Sequence, residues 1–394
     1  MPNLTAKAAA EELGVTLQTL YAYVSRGLVR SEPAPGEKRR RTYNSADIEE
    51  LKRRQERSRN PEGAVENALH WGTPVMESGI TLIADGRLYY RGKDAVALSR
   101  TATAEQAAAL IWATDAAGFD AGDTAYLPWD LLTGLAATDA FQVATPLAAA
   151  RDLSAYGLDA KTAARVGARI VGLFTVIAAG GREAAGSAAD TLRRAWSVDD
   201  ERAGGLLDAA LILCADHELN ASAFTARCVA STGATLYAAV NAGLSALQGH
   251  KHGGSTDRVE ALFGEVEAVG DATRVLASYL RHGDRVPGFG HTLYPEGDPR
   301  GRALIARTRE LCGESGILAH AGDLTAAAES ALGLKPNVDF ALVLLRRALH
   351  LPAGSALTLF ALGRTVGWIG HAIEQYTTDR LIRPRARYVG TAPK

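Results

Sequence analysis

"NASAFTARCVASTGATLYAAVNAGLSALQGHKHGGSTDRVEAL", from Asn220 to Leu262, is the stretch whose reading decides the fold. Its first part, Asn220–Leu247, is rich in Ala, Ser and Gly and reads as one long helix. Small side chains let helices approach closely, so such a helix belongs inside a helical body rather than on its surface. The pattern breaks at "HKHGG", after which Ser255, Thr256 and Asp257, then Glu260, carry the capping and acidic signature of a new helix start. His250 and His252 therefore fall in a turn between helices. Three readings stay open there: structural histidines, a metal pair, or half of an active site. An i, i+2 pair shares no helix face, and no H-E-x-x-H accompanies it. His252 precedes a helix N-terminus, whose positive end favours a neutral, hydrogen-bonding ring. The glycines would let a ligand approach the backbone.

Helical periodicity continues outward. "TAEQAAALIWA", "DTLRRAWSVDDERAGGLLDAALILCAD" and "ALTLFALGRTVGWIGHAIEQY" are long and periodic, and from Thr103 onward helix dominates. No alternating βα units occur, so neither a Rossmann nor a P-loop site is expected, and "GHKHGG" lacks the P-loop spacing. "GITLIADGRLYYRGKDAVAL" alternates apolar and polar residues around Asp85-Gly86 and predicts a hairpin, the one convincing strand pair in the chain.

The chain has 394 residues and a formal net charge of −1, which gives no global attraction for nucleic acid or membrane. The first 59 residues are nevertheless basic, with 12 Lys and Arg against 8 Asp and Glu. Three cysteines, Cys214, Cys228 and Cys312, show no metal-ligand spacing and suit a reducing cytoplasm. The longest apolar stretch, Ile170–Gly180, is too short to cross a bilayer, and no signal peptide is evident.

The basic head reads as two short helices broken at Gly14, with Ala6, Ala9 and Leu13 in the first and Leu17, Leu20 and Val24 in the second. Pro33, Pro35 and Gly36 then forbid helix. A basic run, Lys38-Arg39-Arg40-Arg41, follows, and Ser45 is expected to cap a third helix with Asp47 in its first turn. The segments "AAEELGVTLQTLYAYVSRGLV" and "TYNSADIEELKRR", with the basic wing between them, resemble the winged helix-turn-helix of MerR regulators. The resemblance implies DNA contact through Gln18, Thr19, Tyr23 and Arg26 on the second helix and phosphate contact through Lys38, Arg39, Arg40 and Arg41.

Other candidates for chemistry lie downstream. The stretch "DRVPGFGHTLYPEGDPRGRAL" is a glycine- and proline-bearing loop inside a helical protein, holding His291 and ending near Arg300. Asn337 is expected to cap a helix with Asp339 in its first turn, as a dipole-complementing acid or as a carboxylate base. Arg364 interrupts an apolar helix, and Arg383 lies near the C-terminus. Arginine forks match carboxylates, so each arginine forms a structural ion pair or belongs to a site for a ligand with several carboxylates.

Six motifs in order resemble citrate synthase from about Gly79 to the C-terminus: "YYRGKD", "DHELNASAFTARCVAST", "HGG", "VPGFGH…DPR", "PNVDF" and "IRPRARYVG". The resemblance implies a mainly α fold, with a large all-α domain at 69–254 and 355–394 and a smaller α domain inserted at 255–354. A helix-turn-helix at 1–57 and a linker at 58–68 would precede them. It also implies condensation of acetyl-CoA or propionyl-CoA with oxaloacetate, followed by thioester hydrolysis. In that reading Asp339 is the base, His252 donates to the thioester oxygen and His291 polarises the ketone. His217, Arg300, Arg364 and Arg383 hold carboxylates, Arg383 reaching across a homodimer. The CoA thioester is a substrate, and no metal or other cofactor is implied. The sequence departs from the family at His250-Lys251 (usually Pro-Leu), Ser255-Thr256 (usually Ala-Asn), Pro295 (often Lys or Arg) and after Phe340, where many members carry Tyr-Ser. A DNA-binding regulator whose body senses oxaloacetate, citrate or CoA esters is the rival reading. A metal hydrolase using His250 and His252 is a third.

Overall fold

The computed structural model describes residues 4–34, 37–45, 47–48, 51–52, 76–115, 118–181, 186–253, 255–391 and 393. The expected linker 58–68 lies outside the described residues. The chain divides into two compact units, Met1–Glu77 and Ser78–Lys394.

In the first unit, β1 (Leu4–Thr5) leads into α1 (Ala6–Leu13), capped by the Thr5 hydroxyl and ended by Gly14 at φ 62°. The Thr16 hydroxyl caps α2 (Leu17–Ser25). Strands β2 (Ser31–Ala34) and β3 (Glu37–Tyr43) form an antiparallel wing, and β1 pairs with β3 on its other side. The expectation of a single strand pair is therefore corrected. The prolines that exclude helix are compatible with edge strands. The following helix is capped by Asn44, whose Oδ1 accepts from the Asp47 N–H at 3.2 Å, one residue earlier than expected. Asp47 is drawn instead to Arg30 at 2.9 and 2.8 Å. A small core of Ala9, Ala10, Leu13, Leu20, Val29, Tyr43, Ile48 and Leu51 holds the unit together.

The second unit opens with the hairpin β4 (Thr81–Ala84) and β5 (Arg87–Tyr90), extended by β6 (Lys93–Asp94). Helices follow: α3 (Ala95–Thr101), α4 (Ala104–Trp112), α5 (Trp129–Leu132), α6 (Ala137–Ala149), α7 (Ala160–Ala178), α8 (Ala188–Ala195) and α9 (Arg202–Cys214). Next come α10 (Ala221–Ala230), α11 (Leu236–Leu247), α12 (Ser255–Val269), α13 (Ala272–His282), α14 (Pro299–Cys312), α15 (Gly316–Leu332), α16 (Val338–Ala348) and α17 (Ser355–Thr378).

The single long helix expected over 220–247 is two. Gly233 takes φ 76° and the Thr235 hydroxyl caps α11, so turn chemistry overrides the unbroken Ala-rich pattern. The "DTLRRAW…" run likewise divides into α8 and α9, with Ser197 at φ 58° between them.

Helix α17 is the spine. It packs against α4, α7, α9, α10 and α11. At 24 residues it is long and apolar enough to cross a membrane, contrary to the expectation that no segment is, yet 94% of its apolar window is buried inside the fold. Helices α12 to α16 pack on one another and meet the remainder chiefly through α14 against α9 and α16 against α17.

Candidate active site

His252 lies in the turn before α12, partly buried. Its Nε2 is 2.8 Å from the hydroxyl of Ser222, which is fully buried in the first turn of α10. That hydroxyl donates to Asn220 Oδ1 at 2.8 Å, so in this arrangement Nε2–H donates to Ser222 and Nδ1 is bare. Asn220 Oδ1 also accepts from the backbone N–H groups of Ser222 and Ala223. Because those two N–H groups still satisfy Asn220 Oδ1, the Ser222 hydroxyl can alternatively turn its proton to Nε2, and the ring proton then sits on Nδ1. Burial, aided by the Arg364 charge, pulls the His252 pKa down to about 4, so the ring is neutral at pH 7.

The glycine- and proline-rich loop is ordered by a strand-like clasp. Phe289 bridges Pro336, the Gly290 N–H donates to the Lys335 carbonyl at 2.9 Å, and the Asn337 N–H donates to the Gly288 carbonyl at 2.9 Å. The clasp draws the loop carrying His291 onto the start of α16, where Asn337 Oδ1 caps the N–H groups of Asp339 and Phe340. His291 Nδ1 accepts from the Leu293 N–H at 3.1 Å, which leaves Nε2–H as the donor of a neutral ring. Burial, then Arg300, lowers its pKa to about 4.

His217 is buried beside His291, with ring centroids 5.1 Å apart, and its Nε2 lies 3.0 Å from the Tyr294 hydroxyl. Burial, then Arg300 and Arg364, holds its pKa well below the ordinary histidine value. Arg300, 2% exposed, is gripped by Asp298 through two hydrogen bonds of 3.0 and 2.8 Å. Arg364, also 2% exposed, donates from Nε to the Cys214 carbonyl at 2.9 Å. Burial lowers its pKa, Asp216 opposes that, and the like charge of Arg300 adds to it. Two buried guanidiniums near two neutral imidazoles make a cluster suited to a small dianion.

Asp339 completes the group. Burial raises its pKa to about 6, against the opposing pull of Arg300 and a hydrogen bond from Ser255. A carboxylate poised there can act as a base near neutral pH. Cys214 beside the arginines is inert as a nucleophile, since burial pushes its thiol up to about 12.

The fold thus brings together His217, His252, His291, Arg300, Asp339 and Arg364. It leaves Arg383 exposed, in a tail without regular structure. His250 and Lys251 are exposed while His252 turns to Ser222, so the two histidines do not form a chelate. Among the described residues no three His, Cys, Asp or Glu side chains converge as a metal site. Pro295 is exposed, and Thr256 is buried with its hydroxyl unpartnered.

In the head, Gln18 and Arg26 are exposed as expected, but Thr19 and Tyr23 are not fully outward. Tyr23 packs against the small core because it lies three residues after inward-facing Leu20. Tyr21 is exposed on α2 instead. Arg41 is tied to Ser31 at 3.0 and 2.8 Å, and the side chains of Lys38, Arg39 and Arg40 lie outside the described residues.

Ser222, Tyr294, Asp298 and Asp216 escaped sequence reasoning as site residues. Asp298 alone carried a signal, as an N-cap residue directly before Pro299 at the head of α14.

Residues 131–385 match the family described as citrate synthase, C-terminal domain, and residues 4–56 match the MerR HTH family regulatory protein. The chain is 37% identical over 193 residues to putative citrate synthase 2 of Mycobacterium tuberculosis, covering 48% of this chain and 52% of that one. It is 33% identical over 198 residues to 2-methylcitrate synthase of Shewanella oneidensis, covering 48% and 51%. The chain therefore spans about half the length of the curated relatives it matches. It shares its fold with citrate synthase of the thermophilic archaeon Thermoplasma acidophilum, solved as a ternary complex with carboxymethyl coenzyme A and oxaloacetate. The TM-score is 0.73 at 24% identity, covering 82% of this chain and 95% of that one.

Proposed function

Because this chain belongs to the citrate synthase family, we propose that it condenses acetyl-CoA or propionyl-CoA with oxaloacetate and hydrolyses the resulting thioester, releasing citrate or 2-methylcitrate and CoA. The observation that carries this reading is the pairing of a carboxyl raised to about 6, Asp339, with buried His217, Arg300 and Arg364 and half-buried His291.

The chemistry follows from the charges. The Asp339 carboxylate takes a proton from the carbon next to the thioester carbonyl, and His252 donates a hydrogen bond to the carbonyl oxygen as charge develops there. That carbon attacks the ketone carbon of oxaloacetate, whose oxygen accepts from His291 Nε2–H and ends as a hydroxyl. Water then cleaves the thioester, giving a carboxylate and the CoA thiol. His217, Arg300 and Arg364 hold the oxaloacetate carboxylates, and Arg383 of a second copy completes the set. Closure of residues 255–354 on the rest of the body would exclude water while the enolate exists. The residues supply every charge these steps require, so the reading needs no metal or other cofactor. A thiol-release assay with oxaloacetate and each acyl-CoA tests it: folded protein that frees no CoA from either donor sinks it. Full activity in a strictly monomeric protein would remove the role of Arg383.

For the head, the match over 4–56 and its excess of basic residues support contact with duplex DNA through α2 and the wing. Fluorescence anisotropy with a mixed-sequence duplex at two salt concentrations tests this. An affinity that ignores salt, or no binding, rejects it.

A further inference from the structure

Cys214 ends α9, and the next residues turn to bring buried His217 to the site. Asp216, immediately before His217, is fully buried, and so is His371 of α17. A carboxylate in that position must be satisfied on both oxygens. Its Oδ2 accepts from the Thr81 hydroxyl at 2.5 Å, and its Oδ1 lies 3.2 Å from His371 Nε2. Since the Asp216 oxygens accept here, His371 Nε2 carries the proton. Burial alone would push the Asp216 carboxyl up, but His371, Arg364 and Thr81 hold it below the ordinary value.

The same segment is tied along its backbone. Tyr90 donates its hydroxyl to the Ile212 carbonyl at 2.9 Å and lies 3.2 Å from the Asp216 carbonyl. Thr81 and Tyr90 face each other across β4 and β5, so one cross-strand pair reaches Asp216 by side chain and by backbone. On α17, Arg364, Gly367 and His371 share a face at i, i+3 and i+7. Gly367 permits the approach: a Cβ there would collide with the Ala215 carbonyl and with Asp216. Arg364, one turn earlier, has no carboxylate salt bridge among the described residues, and Asp216 is the leading charge that supports it.

We propose that Asp216, gripped by Thr81 from the hairpin and His371 from α17, is a positioning residue that sets His217 and Arg364 at their fixed separation for the oxaloacetate carboxylates. This rests on the function proposed above. The hairpin then serves the site at a distance: it touches no substrate but locks the end of α9 to α17.

The test compares Thr81→Val, His371→Leu and His371→Gln with the parent. The readouts are calorimetric oxaloacetate affinity, KM and kcat for both substrates, and melting temperature. Thr81→Val and His371→Leu are expected to weaken oxaloacetate binding about tenfold, as loss of a hydrogen bond to a buried charge should. Their kcat and acyl-CoA KM should stay within about twofold of the parent at saturating oxaloacetate. The Gln variant, whose amide N–H can reach Oδ1, should recover most of the affinity. Parent-like oxaloacetate affinity in Thr81→Val and His371→Leu overturns the proposal. So does a Gln variant no better than Leu, or a uniform loss in both substrates and kcat that tracks melting temperature. A parent that binds oxaloacetate but frees no CoA sinks the catalytic reading while the affinity comparison still decides this one.

Discussion

Asp298 holds Arg300 by two parallel hydrogen bonds, and the same Oδ2 accepts the Val338 N–H at 3.1 Å, at the head of the helix that carries Asp339. One buried carboxylate thus fixes a proposed substrate cation and the approach of the proposed base. Burial alone would push that carboxyl up, but Arg300 holds it below the ordinary range. Asp298→Ala leaves a buried guanidinium unpaired, which costs about 3 kcal/mol or more. Urea unfolding should show that loss, and calorimetry should show oxaloacetate binding weakened at least tenfold.

The pH dependence of turnover should report Asp339. Burial pushes its carboxyl up to about 6 in the ligand-free protein, so kcat/KM for the acyl-CoA is expected to fall as pH drops through about 6 and the base takes up a proton. Ser255 opposes the upward shift, so Ser255→Ala should move this acid limb to higher pH. Asp339→Asn should lower kcat about a thousandfold while oxaloacetate still binds.

Stability carries the opposite signature of the same group. Between the ordinary carboxylate pKa and about 6, folded Asp339 holds a proton that the unfolded chain has released. Its contribution to stability therefore declines as pH rises through that window. Urea midpoints of Asp339→Asn should exceed those of the parent at pH 7, and the gap should close at pH 4.

For His291 the sign reverses. The folded ring stays neutral down to about 4, while in the unfolded chain it charges below about 6.5. The unfolded state binds the extra proton, so stability is lost as pH falls from about 6.5 to 4. A His291→Gln variant should lose less stability than the parent over that range, measured by urea unfolding at pH 7 and pH 5.

Ser222 is expected to act through the His252 tautomer. Ser222→Ala keeps the Asn220 cap of α10, because the backbone N–H groups still reach Oδ1. It removes the partner of Nε2. Turnover should fall about tenfold with oxaloacetate affinity within about twofold of the parent. Equal kcat in the variant and the parent would remove Ser222 from the mechanism.

Much of the site was legible because helix caps and motif residues are local. Asn337 capping the helix of Asp339, and a helix starting at Ser255 just after His252, both follow from a few adjacent residues. The helix break at Gly233 was missed because small residues suit a buried helix and a turn equally well. Helical spacing alone places Tyr23 outward, because it does not say which face of α2 meets the small core.

The sequence by itself determined the helical class, the order of the motifs and the identities of the proposed base and cations. Periodicity and capping act over a few residues, and side-chain chemistry needs no partner to be named. Only the tertiary structure decided that Asp298 pairs with Arg300, that Ser222 meets His252 and that Thr81 reaches Asp216 across 135 positions. It also decided the histidine and carboxyl pKa values. Those depend on desolvation and on charges brought from distant segments, which no local pattern encodes.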